Sequence, residues 1–203
     1  MKGDAEDREW ALAAETLDRG GVAVLPTDTV YGLAARPDFP GAVERLYAVK
    51  GRNPAKPIAF LASDVDAVER MAGPLPAEVR ALVSRHWPGA LTVVMGGEGF
   101  RVPDHERLRR LIARCGGLLR VTSANPSGRA PATSAEEARE ELGGLVDCIV
   151  DGGPSPGGVA STVVRVLPGG GLETLRPGPV SADVPACLNS LRKNCTIGAV
   201  QGG

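Results

Sequence analysis

Short apolar, β-prone runs alternate with helix-period segments along most of the chain, and that alternation admits little besides a layered α/β domain. Strands are read at residues 22–25, 58–61, 90–95, 118–121 and 148–150, with another opening at Ser161 and Thr162. The first helix spans residues 8–19, where Trp10, Ala13, Ala14 and Leu17 share one face and Gly20 and Gly21 supply the stop. A second helix is marked by Val43, Leu46 and Tyr47. A third opens on the capping pattern of residues 63–66, with Val65, Val68 and Met71 facing inward. Residues 76–86 and 108–115 read as further helices, and Ser134 caps one that reaches Leu142. A tight hairpin at 167–172 predicts a mixed rather than purely parallel sheet. With 203 residues, 43% of them hydrophobic, the chain can bury one ordinary core, so a single domain over 8–180 is expected. Residues 181–203 lack periodicity and read as a weakly ordered tail.

Charge and cysteine usage exclude several classes. Twenty-three basic residues nearly balance twenty-four acidic ones, so no whole-molecule field draws the chain to nucleic acid or an acidic membrane, and any anion site must be local. The charged N-terminus lacks a signal-peptide core, and no apolar run approaches the roughly 18 residues of a membrane span. A cytoplasmic protein is expected. Cys115, Cys148, Cys187 and Cys195 form no C-x-x-C pair, which argues against a zinc site or a disulfide scaffold. There is no G-x-x-x-x-G-K-[ST] loop, G-x-G-x-x-G, G-x-S-x-G or H-E-x-x-H motif, and His86 and His105 stand apart, with His105 read as structural.

What remains is a set of cations and hydroxyls on loops: Thr27, Thr29, Lys50, Arg52, Lys56, Arg101, Ser123, Asn125, Ser161 and Arg176. Such groups bind anions and amides rather than perform covalent catalysis. Phosphoryl and nucleotidyl transfer suit them, because there the protein positions reactants and neutralises phosphate charge. Each has a plainer reading as well. Charged loops are usually solvated, Ser-Ala-Asn-Pro is ordinary turn chemistry, and Tyr31 and Trp87 read as packing residues.

The ordered series Pro26-Thr27-Asp28-Thr29-Val30-Tyr31-Gly32-Leu33, Lys50-Gly51-Arg52, Lys56-Pro57, Trp87-Pro88-Gly89, Arg101-Val102-Pro103-Asp104-His105, Ser123-Ala124-Asn125, Asp151-Gly152-Gly153, Ser161-Thr162-Val163-Val164 and Leu175-Arg176-Pro177-Gly178 resembles the YrdC-like family, in particular its TsaC-type threonylcarbamoyl-AMP synthases. The resemblance implies a twisted mixed sheet with flanking helices around a positively charged cavity. It implies an enzyme that joins L-threonine, bicarbonate and ATP, with Mg²⁺, into threonylcarbamoyl-AMP and pyrophosphate for tRNA modification. Carried over, Lys50 and Arg52 would be catalytic. Arg52, Lys56, Ser123, Asn125 and Arg176 would bind ATP, and Thr27, Arg101 and Ser161 would bind threonine. No protein metal site is implied, and tRNA or threonylcarbamoyl-transfer proteins would be partners. The segment 96–100 is shorter and less basic than the corresponding family hairpin. Two other readings stay open: a paralogue with a different substrate, and a non-catalytic RNA-binding module.

Overall fold

A computed structural model describes residues 2–168 and 171–181, so all but the first residue of the expected tail lies outside the described residues. In chain order the elements are α1 (Lys2–Asp18), β1 (Ala23–Leu25), β2 (Gly32–Ala35), α2 (Pro40–Lys50), β3 (Phe60–Ala62), α3 (Val65–Ala72), α4 (Ala77–His86), β4 (Leu91–Met95), β5 (Glu98–Arg101), α5 (Glu106–Arg114), β6 (Leu118–Ser123), α6 (Ala135–Leu142), β7 (Cys148–Ile149), β8 (Thr162–Val166) and β9 (Leu172–Arg176). The strands form one mixed sheet in the order β7-β1-β2-β6-β3-β5-β4-β8-β9. Pairs β7/β1, β3/β5 and β4/β8 are parallel, and the others are antiparallel.

Helices cover both faces of one half of this sheet. Leu25 and Leu119 pack with Leu17 of α1 and with Leu108 and Ile112 of α5. On the opposite face Val24 and Leu33 pack with Leu46 of α2 and Leu142 of α6. In the other half, α3 and α4 bring Val68, Val79 and Val83 onto Leu91, Val93 and Phe100. Each such fully buried side chain contributes about 1.5–3 kcal/mol relative to exposure. The second face of that half carries no helix, and there the sheet is open.

Several boundaries differ from those read in the sequence. Helix α1 begins six residues earlier, held by ion pairs from Glu6 and Asp7 to Arg107 of α5, 2.7 and 2.5 Å long, which hydrophobic periodicity does not register. Strand β2, Gly-Leu-Ala-Ala, lacks β-branched residues and was not expected. It is a strand because β1 and β6 flank it on both sides. Strand β5 follows a two-residue turn in which Gly96 and Gly97 have φ of 58° and 87°, the double positive φ of a type I′ hairpin. Asp64 rather than Ser63 caps α3, accepting from the Ala67 amide at 2.7 Å. Met71, expected inside, is 47% exposed, and Ala67 and Val68 form the inner face. His105 caps α5 through Nδ1, which accepts from the Leu108 amide. Cys115 and Cys148 are free thiols, and the other two cysteines lie outside the described residues.

Candidate active site

Side chains alternate across a strand, and here that rule builds the site. While Leu91, Val93 and Phe100 enter the core, Thr92, Val94, Gly99 and Arg101 face the opposite way into a cavity of about 710 Å³. No helical residue lines it. Gly32, Ala59 and Gly99 keep its floor clear: a Cβ on Gly99 would stand 3.1 Å from that of Ala59. Beside it lies a hollow of about 380 Å³ formed by Lys50, Arg52, Lys56, Ser123 and Asn125 among others. The two share Arg52 and Ser123, so they form one continuous site. All nine residues singled out by the resemblance lie in it: Thr27, Arg52, Arg101, Ser123, Ser161 and Arg176 line the cavity, and Lys50, Lys56 and Asn125 line the hollow.

Four arginines line the cavity, of which Arg165 is paired with Glu173 at 3.3 Å, leaving Arg52, Arg101 and Arg176. Arg52 Nε and Nη2 donate to the carbonyls of Lys56 and Pro57, at 3.0 and 3.1 Å, folding the loop after α2 around the guanidinium. Arg176 Nε and Nη2 donate to the Ser161 carbonyl at 3.1 and 2.8 Å. Neither has a carboxylate partner among the described residues. Burial, and then the facing charges of Arg101 and Arg52, push the Arg176 guanidinium below its ordinary range. The buried Arg101 differs. Its Nη2 donates to Asp28 Oδ1 at 2.5 Å, its Nη1 to Thr29 Oγ1 at 2.9 Å and its Nε to the Gly89 carbonyl at 2.9 Å. Of its five guanidinium N–H bonds three are thus engaged, and one on each terminal nitrogen remains to donate.

Lys50 lies at the C-terminus of α2, which Gly51 ends in the left-handed conformation at φ 57°. Its ammonium is buried and donates to the carbonyls of Ser123 and Asn125, at 2.5 and 2.6 Å, and to Asn125 Oδ1 at 3.2 Å. Burial, and secondarily Arg52, lower its pKa to about 8. Asn125 Nδ2 closes the following turn by donating to Pro126 and Arg129 carbonyls at 2.9 and 2.8 Å. Lys50 and Asn125 thus hold the loop after β6 against the end of α2, and their side-chain donors are already engaged. In this arrangement Lys50 offers charge and placement, and Asn125 offers one lone pair of Oδ1.

Thr27 is tied inward as well. Its hydroxyl donates to the Val30 carbonyl at 2.7 Å and accepts from the Thr29 amide and hydroxyl, each at 3.0 Å. With one proton and two lone pairs in use, Thr27 presents a wall rather than a hydrogen bond. Thr92 and Asp28 were missed. Thr92 looked like an ordinary β-former in an apolar strand, and Asp28 pairs across 73 residues of sequence. Tyr31 is buried and its hydroxyl pins the 152–153 loop, donating to the Gly153 carbonyl at 2.7 Å, in keeping with a packing role.

Gly178 packs against the backbone segment that carries Ser161. A Cβ there would overlap backbone atoms of Ala160, Ser161 and Thr162. Gly178→Ala is therefore expected to cost about 1–3 kcal/mol in a guanidinium unfolding titration. Gly41→Ala, where a Cβ meets nothing within 4 Å on a helix, should leave stability unchanged or raise it by up to about 1 kcal/mol.

Comparison with known proteins places these features in context. The profile of the Sua5–YciO–YrdC family, described as telomere recombination, matches residues 15–178. The chain is 35% identical over 195 residues to the threonylcarbamoyl-AMP synthase of Bacillus subtilis (strain 168), covering 87% of this chain and 55% of that protein. To the threonylcarbamoyl-AMP synthase of Chromohalobacter salexigens it is 37% identical over 181 residues, 82% of this chain and 95% of that one. Among solved structures, Pyrococcus abyssi Sua5 complexed with L-threonine superposes with a TM-score of 0.79 at 32% identity, covering 91% of this chain and 56% of that one. Escherichia coli YciO, at 23% identity and a TM-score of 0.77 over 86% of this chain and 91% of its own, shares the fold. The chain thus spans just over half of the Bacillus and Pyrococcus proteins and nearly all of the Chromohalobacter one.

Proposed function

The chain belongs to the Sua5–YciO–YrdC family, and from that footing we propose that it is a threonylcarbamoyl-AMP synthase, a nucleotidyltransferase acting on L-threonine, CO₂ from bicarbonate, and ATP. The observation that carries this reading is the convergence of Arg52, Arg101 and Arg176 on one cavity, where among the described residues Arg101 alone of the three has a carboxylate partner, Asp28. Such an excess of fixed positive charge suits a ligand bearing several negative charges. The volume falls within the range of small-molecule sites.

In this reading the two free N–H donors of Arg101 take the threonine carboxylate, with Thr27 and Ser161 as walls of the same pocket. The amine adds to CO₂, losing a proton, to form a carbamate. A carbamate oxygen then attacks the α-phosphorus of ATP, a new P–O bond forms, and the bond to the bridging oxygen breaks, releasing pyrophosphate. Arg52 and Lys56 hold the departing phosphates, Lys50 adds its positive charge, and Ser123 and Arg176 fix the nucleotide, stabilising charge as it develops on the leaving group. Mg²⁺ enters on the phosphate oxygens as part of the nucleotide substrate. The product is a mixed anhydride, which threonylcarbamoyl-transfer proteins would consume in modifying tRNA.

The deciding experiment measures pyrophosphate release from Mg·ATP with bicarbonate, with and without L-threonine. Threonine-dependent release is expected, and Arg52→Ala should lower it by about 10²–10³. Turnover indifferent to threonine, or wild-type turnover in Arg52→Ala, would overturn the reading. So far as the described residues go, no helix is long and apolar enough to cross a membrane.

A further inference from the structure

Four buried aliphatic hydroxyls line the cavity, those of Thr27, Thr29, Thr92 and Ser161. They form two pairs whose protons can be traced, because each hydroxyl carries one. In the first pair Thr27 donates to the Val30 carbonyl, so the 3.0 Å bond between Thr27 and Thr29 uses the proton of Thr29. The Thr29 oxygen in turn accepts from Arg101. Both protons end inside the protein.

The second pair is different. Thr92 Oγ1 and Ser161 Oγ stand 2.8 Å apart, and that bond uses one proton of the two. Arg176 Nη2 donates to Ser161 Oγ at 3.2 Å. A hydroxyl that accepts from a cation is the better donor onward, so the chain runs from Arg176 to Ser161 to Thr92. It stops there: Thr92 makes no other side-chain hydrogen bond among the described residues, which on this ordering leaves its proton for the cavity it lines.

On the functional reading above, we infer that Thr92 is a specificity-determining residue that donates a hydrogen bond to the side-chain hydroxyl of the amino-acid substrate. The charged guanidinium of Arg101 suits the carboxylate, which leaves a neutral donor for a neutral oxygen. A site with an unsatisfied hydroxyl discriminates against a substrate that lacks the matching group, whereas shape alone separates isosteres weakly. Thr92 therefore selects L-threonine over its isostere L-valine. Val94 and Val163, flanking it on the same face, suit the methyl group that both share.

The test is calorimetric titration of L-threonine, L-valine and the non-hydrolysable α,β-methylene-ATP into wild type, Thr92→Val and Thr92→Ser. Thr92→Val keeps the shape and β-branching of a strand residue. It should weaken threonine about tenfold, while affinities for valine and for the nucleotide stay within about twofold. Thr92→Ser, which restores the donor, should stay close to wild type for threonine. If Thr92→Val binds threonine as wild type does, the inference falls and the functional reading stands. Equal losses for all three ligands, or an equal loss in Thr92→Ser, would reduce Thr92 to a structural role and also overturn it. Wild-type protein that takes no threonine would overturn the functional reading and this inference with it.

Discussion

Lys50→Met is expected to lower threonine-dependent pyrophosphate release by about 10²–10³ while changing folding stability by no more than about 2 kcal/mol in either direction. The two halves of this result have opposite origins. Holding the ammonium where its pKa falls from an ordinary 10.5 to about 8 costs the folded state about 3 kcal/mol at neutral pH. Methionine removes that cost and keeps the alkyl stem, but it takes the Lys50 donor from the Asn125 carbonyl and leaves the Ser123 carbonyl with the Asn125 amide alone. Each loss of that kind is worth about 1–3 kcal/mol, so the sum nearly cancels. Activity has no such compensation, because the loop carrying Ser123 and the charge beside Arg52 go together. A denaturant titration beside the kinetic assay checks both. Unfolding of the variant with normal turnover in the remaining folded fraction would contradict the assignment.

The same residue fixes a pH dependence whose sign differs for stability and for activity. A base whose folded pKa lies below its unfolded value binds fewer protons when folded. Its penalty is complete below about pH 8 and is relieved as the pH climbs towards 10.5. Stability from Lys50 therefore rises across that window, while kcat/KM falls above about pH 8 as the free enzyme loses the ammonium. In Lys50→Met this alkaline limb should be absent from whatever activity remains.

The architecture was legible because it follows from periodicity, and the site because its cations and hydroxyls stand at the ends of strands. Leu91, Val93 and Phe100 announce a core. The gap left by Gly99 and Ala59 on the opposite face is visible only when β5 is known to lie between β3 and β4. Strand β2 escaped because four small residues carry no β signal, and their conformation is imposed by neighbours on both sides. Side-chain roles were the least legible. Thr27, Lys50 and Asn125 line the candidate site, and each is tied to the backbone by hydrogen bonds that sequence does not encode. Thr92 reads as packing until Ser161, 69 residues later, is brought beside it.

Arg101 and Asp28 form the pair with the most at stake for folding. Their side chains are 7% and 12% exposed, so each charge depends on the other. Arg101→Met leaves Asp28 with an unpaired, largely buried charge and Thr29 and the Gly89 carbonyl without the Arg101 donor. It should cost about 3–5 kcal/mol, because the penalty lies in the stranded partner rather than in the lost attraction. Adding Asp28→Asn removes the stranded charge, so the double variant should regain about half or more of that loss. Neither protein should bind the amino acid, since the Arg101 guanidinium is absent from both. Calorimetric titration of L-threonine alongside urea unfolding separates the two effects. Strictly additive stability losses would show that the charges do not depend on each other, and threonine binding by the refolded double variant would remove Arg101 from the site.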